Sequence, residues 1–504
     1  MKPQFILKPV RLSVQLLIVG LLPLSSCQVP KAMLAPSQQP IPTTFGTNID
    51  SGTATGTSAQ SDQLSFVADS TGIAGRHWRT FFDDKELAAL IDTALTANLD
   101  LRIATQRIEQ ARATFDYTRG FLTPQVNAVA SAGLDRYGQN TLNGVGNFDT
   151  NLSPNIDGSR RIPNPTPDFF VGARSTWEVD IWGKLRNQRK AAYLRLLASE
   201  EGRHAIVTGL VAEVARYYYT LLALDGELEI IQKNVDYQRN ALDLVRVQKQ
   251  AGRVTELAVQ QFAAQLLNTR SRQGQVRQQI IEAENELNRL LGRYPQPIAR
   301  GRSLQSRELP GQVATGLPAR MVFRRPDIRQ AERTLQATQV DVDVARAEFL
   351  PSLNVTGYLG LNTFRLGTLV NPASVAAGLL SGLSAPVFNR RFVRANYNGS
   401  VAQSREAFYR YRQTIVDGVS EVTSQLRGVE NYRQVADLQI EEVQTLSNAV
   451  GTANDLFRSG YATYLEVITA QRSVLEAELA LINTKRAQFL SLTSLYRSLG
   501  GGWE

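Results

Sequence analysis

Two long stretches without proline constrain the fold of this chain more than any other feature. Pro167 is followed by no proline until Pro295, and no proline follows Pro386 in the 504-residue sequence. A proline in a helix interior costs about 3 kcal/mol, so these stretches permit very long helices. Residues 183–250 and 391–458 are each predicted to form one helix, about 100 Å long at 1.5 Å per residue. A compact domain has no room for such helices, so they must line something elongated.

The sequence also contains a tandem duplication. LRIATQRIEQARATFDYTRGFLTPQVN, from Leu101, resembles IRQAERTLQATQVDVDVARAEFLPSLN, from Ile328. Each runs from a helical pattern into Phe-Leu, a proline and an alternating segment. AGRVTEL, from Ala251, similarly matches SGYATYL, from Ser459, and both are glycine-centred breaks between helical tracts. A repeat of this kind predicts that one structural plan is used twice.

The N-terminus has the pattern of a secretory signal. Lys2, Lys8 and Arg11 precede an apolar run that ends at Leu24. The run is too short to span a bilayer, which takes roughly 20 apolar residues. LSSC, at its end, contains the only cysteine, Cys27, and resembles the bacterial lipobox, in which cleavage precedes a cysteine that receives a diacylglycerol. The alternative is a plain signal peptide with a chance cysteine nearby. Gln28, and not an aspartate, directly follows Cys27, which by resemblance to lipoproteins favours the outer membrane.

Composition and charge exclude several classes of function. The formal charge of +9 is spread along the helical segments, which indicates solvated helix faces rather than a nucleic-acid site. A single cysteine rules out an internal disulfide. His77 and His204 are the only histidines, and neither lies at metal-ligand spacing from another histidine or from the cysteine. There is no GxxxxGK[ST] motif and no evident catalytic pair, so neither a nucleotide site nor a catalytic residue is expected.

Four segments alternate between apolar and polar residues, as strands do. They lie at about residues 125–137, 168–181, 352–363 and 374–388, the last alternating more weakly. Such strands fit a transmembrane barrel, with lipid outside and water inside, or an antiparallel sheet over a soluble core. The signal and the long helices favour the barrel. Four strands cannot close one, because about eight is the practical minimum. Two chains would give eight strands, whereas three would give twelve and a water-filled lumen.

Five motifs, in order, carry a family resemblance: WRTFFDDKELAALIDTALTANLDLRIA from Trp78, WEVDIWGKLR from Trp177, GLPARMVFRRPDI from Gly316, LSAPVFNRR from Leu383 and LYRSLGGGW from Leu495. With them the chain resembles the TolC/OprM-type outer-membrane factors, and within these the NodT-like efflux lipoproteins. The resemblance implies an α+β fold. In it, four strands per chain build a trimeric twelve-stranded transmembrane barrel, which continues into a coiled-coil α-helical tunnel in the periplasm.

The resemblance also implies a function. Such homotrimers are outer-membrane ducts of tripartite efflux systems in Gram-negative bacteria. An inner-membrane pump of the RND type supplies the energy, and a periplasmic adaptor bridges pump and duct. We therefore expect no enzyme activity and no cofactor beyond the covalent lipid on Cys27. Two alternatives stay open: an exit duct for type I polypeptide secretion, and a periplasmic coiled-coil scaffold attached by lipid alone.

The two glycine-centred breaks are the predicted periplasmic ends of the helices. Gly252 and Gly460 are required first for the turn, since glycine readily adopts the positive φ that ends a helix. The resemblance implies that these tips also contact the adaptor, which makes Arg253 and Tyr461 candidate contact residues beside the glycines.

A periplasmic gate is expected just after the second tip. The resemblance implies an apolar residue there with an aspartate four positions on. Leu465 matches the apolar position, but Thr469 occupies the aspartate position, and Glu466 is the only nearby carboxylate. Three Leu465 side chains could exclude hydrated solutes by dewetting, and Glu466 could favour cations if it faces inward.

These observations divide the chain into five predicted parts. A signal peptide (1–26) is followed by a lipidated tether (27–77), the first repeat (78–292), an equatorial linker (293–325) and the second repeat (326–504). The first repeat contains a helix at 84–119, two strands and long helices at 183–250 and 254–292. The second contains the corresponding elements, with long helices at 391–458 and 462–499.

Overall fold

The computed structural model describes residues 75–158, 160–307, 318–386 and 390–503. The predicted signal peptide, Cys27 and the tether up to residue 74 lie outside the described residues. Within these ranges the chain forms ten α-helices and four β-strands. None of the helices in the described ranges combines the length and apolar character needed to cross a membrane.

The elements follow the chain in a fixed order. They are α1 (Trp78–Phe82), α2 (Lys85–Ala97), α3 (Leu99–Gly120), β1 (Gln125–Asp135), α4 (Leu142–Leu152), β2 (Thr166–Val179), α5 (Lys184–Gln250), α6 (Glu256–Leu290), α7 (Pro318–Arg324), α8 (Pro326–Ala347), β3 (Ser352–Thr363), β4 (Val375–Ser384), α9 (Arg391–Arg458) and α10 (Tyr464–Ser498). They belong to two compact units. The sheet unit contains residues 110–196 and 333–408, and the helical unit contains 75–109, 197–332 and 409–503, each within the described ranges.

Each proline-free stretch contains one very long helix and a second helix about half as long. α5 has 67 residues and α9 has 68, which at 1.5 Å per residue makes each about 100 Å long. α6 and α10 have 35 residues each and begin two residues later than predicted. The reason is that Thr255 and Thr463 have extended backbone angles and serve as the N-caps of these helices.

The helix predicted at residues 84–119 is instead two helices, because Asn98 interrupts it. Asn98 has extended ψ, 131°, between α2 and α3. Its side-chain oxygen accepts a hydrogen bond from the Leu101 amide at 2.9 Å, which caps α3. Its side-chain nitrogen donates to the carbonyl oxygen of Leu290 at 2.8 Å, at the end of α6. The break thus satisfies backbone groups at two helix ends.

The four strands form one antiparallel sheet in the order β1-β2-β3-β4. The predicted ends at residues 137, 181 and 388 are too far along the chain, because each strand stops where its partner stops. Asp135 pairs with Thr166, the first residue of β2, so β1 ends there. Ser384 pairs with Ser352, the first residue of β3, so β4 ends there. After Val179, the carboxylate of Asp180 accepts the Leu185 amide at 3.0 Å and caps the start of α5.

The register gathers the apolar positions of all four strands on one face. One row across the sheet reads Ala128, Ala173, Leu359 and Ala377. The adjacent row, on the other face, reads Asn127, Arg174, Tyr358 and Gly378. The sheet therefore has an apolar face and a polar face, as the alternation in each separate segment predicts.

The main core of the helical unit lies among α2, α5, α6 and α10. Tyr218 and Tyr219 are both buried in this core. Tyr496 of α10 is also buried there, and its ring stacks on Phe81 with centroids 4.2 Å apart. Large aromatic rings thus fill the space where several helices meet.

Candidate functional site

The first predicted tip is a tight helix end centred on Gly252. Gly252 has φ of 69°, in the left-handed region that glycine adopts without strain. Its amide donates to the carbonyl of Lys249 at 2.9 Å, and the Arg253 amide donates to the carbonyl of Gln248 at 2.9 Å. This pair of bonds is the Schellman motif, which satisfies the last carbonyls of α5.

The second tip repeats this geometry at Gly460, with φ of 82°. The Gly460 amide donates to the carbonyl of Phe457 at 3.2 Å, and the Tyr461 amide donates to that of Leu456 at 2.9 Å. The two glycines therefore end their helices in the same way, and the turn alone accounts for both of them.

The residues that follow the two glycines differ in chemistry. Arg253 is exposed, and Tyr461 is 85% exposed. One tip thus presents a cation to solvent and the other an aromatic ring with a hydroxyl group. Arginine and tyrosine are both enriched in protein interfaces, so both tips carry side chains suited to binding a protein partner.

The carboxylate of Glu466 is hydrogen-bonded to Thr463 at the start of α10. It accepts hydrogen bonds from the backbone amide and from the hydroxyl group of Thr463, the latter at 2.6 Å. The hydroxyl bond and then the amide bond lower the pKa of Glu466 below its usual value. Thr463-x-x-Glu466 is a capping-box sequence, so this role could have been read from the spacing. Glu466 therefore caps α10, a role that the gate prediction did not include.

The acidic residue at the first tip makes a different contact. The corresponding helix, α6, begins with Glu256, whose carboxylate forms an ion pair with Lys249 of α5 across the turn. The carboxylate of one tip thus binds a lysine, whereas that of the other caps a helix. Although the backbones of the tips match, their charges do not.

Leu465 and Thr469 lie on one exposed stripe of α10. Both side chains are exposed, and Leu465 is 57% exposed although it is apolar. Residues three or four positions apart share a helix face, so Arg472 and Glu476 continue this stripe. The Nε atom of Arg472 lies 3.9 Å from a carboxylate oxygen of Glu476. Arg472, seven residues after Leu465, is therefore on this stripe, although it was not among the residues predicted for a gate.

The buried side of the same helix carries polar groups without protein partners. Gln471 is buried, and its side-chain oxygen has no hydrogen-bond partner in the described part of the chain. Gln238 of α5 is 1% exposed, and neither atom of its amide has a partner there. Both line a cavity of about 650 Å³ between α5, α9 and α10. Sequence reasoning did not identify either glutamine, because glutamine is common on exposed helix faces.

Glu478 lines the same cavity. Its carboxylate accepts a hydrogen bond from the side chain of Asn234 at 3.3 Å. Burial raises the pKa of Glu478, although the Asn234 bond and the charge of Lys233 act in the opposite direction. Nowhere in the described ranges do three or more His, Cys, Asp or Glu residues form a group that could hold a metal ion. The three helices therefore enclose a cavity that is lined by polar side chains.

Two bacterial relatives resemble the chain over most of its length. The cation efflux system protein CusC of Escherichia coli strain CFT073 is 30% identical over 431 residues, which cover 85% of this chain and 88% of CusC. The solvent efflux pump outer membrane protein SrpC of Pseudomonas putida is 29% identical over 426 residues, which cover 84% of this chain and 87% of SrpC.

A solved structure of the outer-membrane channel OprN has the same fold, with a TM-score of 0.79 at 25% identity. The match covers 93% of this chain and 99% of OprN. The model of the family described as outer membrane efflux protein matches residues 90–293 and 317–501. The chain therefore belongs to the outer membrane efflux protein family.

Proposed function

We propose that three copies of the chain form a passive exit duct across the outer membrane. The observation that carries this proposal is the open sheet, in which β1 pairs only with β2 and β4 only with β3 among the described residues. Four strands are too few to close a barrel. An unpaired backbone group in lipid costs several kcal/mol, so both edges need partners. Pairing β1 of one copy with β4 of the next gives twelve strands without an edge.

The two faces of the sheet suit the two sides of such a barrel. The apolar face, with the row from Ala128 to Ala377, would contact the acyl chains of the outer membrane. The polar face, with Arg174, would line a water-filled lumen. Lipid-facing and lumen-facing residues alternate along the strands of membrane barrels in this way.

The long helices would continue the duct into the periplasm. The tips at Gly252 and Gly460 would be its lower end, and Arg253 and Tyr461 would contact a periplasmic adaptor. An inner-membrane pump of the RND type would supply the energy, since the sequence contains no nucleotide-binding motif. α6 and α10 have 35 residues each, which supports the proposal that the two repeats contribute equivalent helices to the duct.

The duct itself would not select the cargo. CusC is named for cations and SrpC for solvents, yet this chain is 30% and 29% identical to them. Overall identity therefore does not distinguish between such cargoes, and the pump would choose the substrate. The efflux relatives favour small molecules over polypeptides as the class that passes through.

The gate would lie on the exposed stripe of α10. Three copies would bring three Leu465 side chains around one axis, where an apolar ring can hinder hydrated solutes. Glu466 would contribute less to ion selection than its charge suggests, because its carboxylate caps the helix. Thr469 adds no charge, whereas Arg472 and Glu476 would place both signs of charge about two and three turns above the leucine ring.

The experiment is to purify the full-length protein from outer membranes and measure its mass and its conductance in planar bilayers. We expect a particle three times the mass of one chain, resistant to detergent at room temperature, and discrete single-channel currents. The boiled protein is the control and should give neither result. A monomer that does not conduct would contradict the duct and would favour a scaffold attached by lipid alone.

A further inference from the structure

The middle of the polar sheet face contains one charged residue, Arg174 of β2. In the register it lies between Asn127 of β1 and Tyr358 of β3, and Gly378 of β4 completes the row. The side chain is exposed. A cation whose immediate neighbours on a polar surface are uncharged is a candidate site for an anion.

The Arg174 guanidinium group lies over an aromatic ring. Its central carbon lies 4.7 Å from the ring centroid of Phe170, which is only 3% exposed although it is on the polar face. The Tyr358 ring meets the Phe170 ring edge to face, at 78° with centroids 6.1 Å apart. A guanidinium group stacked on a ring keeps its N–H groups in its own plane, so they stay available to an acceptor.

Three glycines make room for these rings. A Cβ atom on Gly378 would lie 2.4 Å from the ring of Tyr358. A Cβ atom on Gly172 or on Gly360 would lie 3.0 Å or 2.9 Å from the ring of Phe170, and closer still to the backbone of the neighbouring strand. The two rings can occupy these places over the sheet only because the three positions have no side chain.

The result is a cavity of about 590 Å³ with one cationic and several neutral groups. Its lining includes Arg174, Thr176, Thr356, Tyr358, Asn362 and Leu380. Leu380 is exposed, so the cavity also offers an apolar contact next to the hydroxyl groups. A ligand with one anionic group and an apolar body would match both parts.

The carboxylates on the same face are too far away to neutralise Arg174. Glu178 is four residues along β2 and Asp168 is six, which at about 3.3 Å per residue places them about 13 and 20 Å away. Both distances exceed the Debye length of about 8 Å at physiological salt. Glu178 also forms an ion pair with Lys184 at 2.5 Å, and Asp168 accepts a hydrogen bond from Asn362 at 2.7 Å. No described carboxylate forms an ion pair with Arg174.

We propose that this cavity is a binding site for organic carboxylates and that Arg174 determines its specificity. The planar guanidinium group can donate two parallel hydrogen bonds to a carboxylate, which gives both energy and orientation. If three copies form the duct proposed above, three such sites face its lumen and favour anions inside the barrel. The inference rests on that function for its place in transport.

The test uses the full-length trimer in planar bilayers, with benzoate as the anionic probe and benzamide as its neutral match. We expect benzoate, but not benzamide, to reduce the wild-type current. Arg174→Gln should raise the half-blocking concentration of benzoate about tenfold, as expected when a charge-assisted hydrogen bond is lost. It should also move the reversal potential in a KCl gradient toward cation preference.

Two further variants separate charge from geometry. Arg174→Lys keeps the charge without the planar group, so it should preserve the reversal potential while weakening the benzoate block. Arg136→Gln removes a charge from an exposed arginine just past the end of β1 and should change neither quantity. Equal block of the wild type by benzoate and benzamide would overturn the proposal, even if the variants fail to assemble. A wild-type trimer that does not conduct would instead count against the duct.

Discussion

The Tyr218 hydroxyl group donates a hydrogen bond of 2.9 Å to the carboxylate of Asp84, which is 134 residues earlier in the chain. The same carboxylate oxygen accepts from the guanidinium group of Arg307 at 2.5 Å, while the other oxygen caps the start of α2. Burial, and then the hydrogen bond to Asp84, raise the pKa of Tyr218, so the phenol keeps the proton it donates. One buried carboxylate thus connects a short helix, the long helix α5 and the linker.

Removing this carboxylate should destabilise the helical unit strongly. Asp84→Ala leaves a buried guanidinium group and a buried phenol without their partner, and breaking a buried ion pair typically costs about 3–5 kcal/mol. Tyr218→Phe removes one hydrogen bond to a charged group and should cost about 1.5–3 kcal/mol. Both effects can be measured from the thermal unfolding of the purified protein in detergent.

Asp92→Ala is the matched control for Asp84→Ala. Asp92 pairs with Arg79 at 2.5 Å, but the two side chains are 43% and 57% exposed, against 4% for Asp84. An exposed ion pair contributes about 0–1 kcal/mol, so this variant should unfold close to the wild-type temperature. Similar losses for Asp84→Ala and Asp92→Ala would show that burial of the carboxylate does not matter.

Local sequence patterns predicted the long helices and the faces of the strands because their causes are local. The absence of proline permits α5 and α9 wherever their partners lie. The alternation in β2 likewise assigns Arg174 and Thr176 to the polar face without knowledge of the neighbouring strands.

The features that were missed depend on residues far away in the sequence. Asn98 divides a predicted helix partly because its side chain reaches Leu290, and no local pattern shows that contact. The ring of Phe170 is buried on the polar face only because Gly360, on β3, leaves room for it. The same limit applies to Gln238 and Gln471, whose burial becomes visible only once three helices are packed.

Gln238→Met should stabilise the helical unit. A buried polar group without a hydrogen-bond partner costs about 1–3 kcal/mol, and methionine has a similar length without the amide. We expect the variant to unfold at a higher temperature than the wild type. Gln260→Met, at an exposed position of α6, is the control and should have little effect. A clear loss of stability in Gln238→Met would mean that the amide has a partner in the assembled protein.

Glu466→Ala should loosen the start of α10 at neutral pH. Because hydrogen bonds lower the pKa of Glu466 in the folded chain, its stabilising effect is complete above the ordinary value of 4.5 and is lost as the pH falls through the lowered pKa. Amide hydrogen exchange at residues 463–469 should therefore be faster in the variant at pH 7. The difference should shrink toward pH 4. Glu476→Ala, farther along the same stripe, should leave this segment unchanged.

Cys27→Ser should impair delivery or trimer formation more than conduction. A lipid on Cys27 would anchor a chain that the proposed barrel already holds in the membrane, and each buried CH₂ group adds about 0.8 kcal/mol. Labelled palmitate should enter the wild type but not the variant. If the variant is exported behind an ordinary signal and assembles correctly, it should still conduct. Failure of such assembled trimers to conduct would reverse this ranking.

Leu465→Ala should make the closed duct leak. The side chain is exposed in the single chain, and three copies would form an apolar ring whose narrowing excludes hydrated ions. Truncation to alanine widens that ring, so the resting current of the trimer in bilayers should rise. The duplication provides a close control in Leu257, which occupies the equivalent position after the first tip and is 54% exposed, against 57% for Leu465. Leu257→Ala should leave the current unchanged. A rise of equal size in both variants would indicate a general loosening of the tips, and unchanged permeability in Leu465→Ala would remove the leucine from the gate.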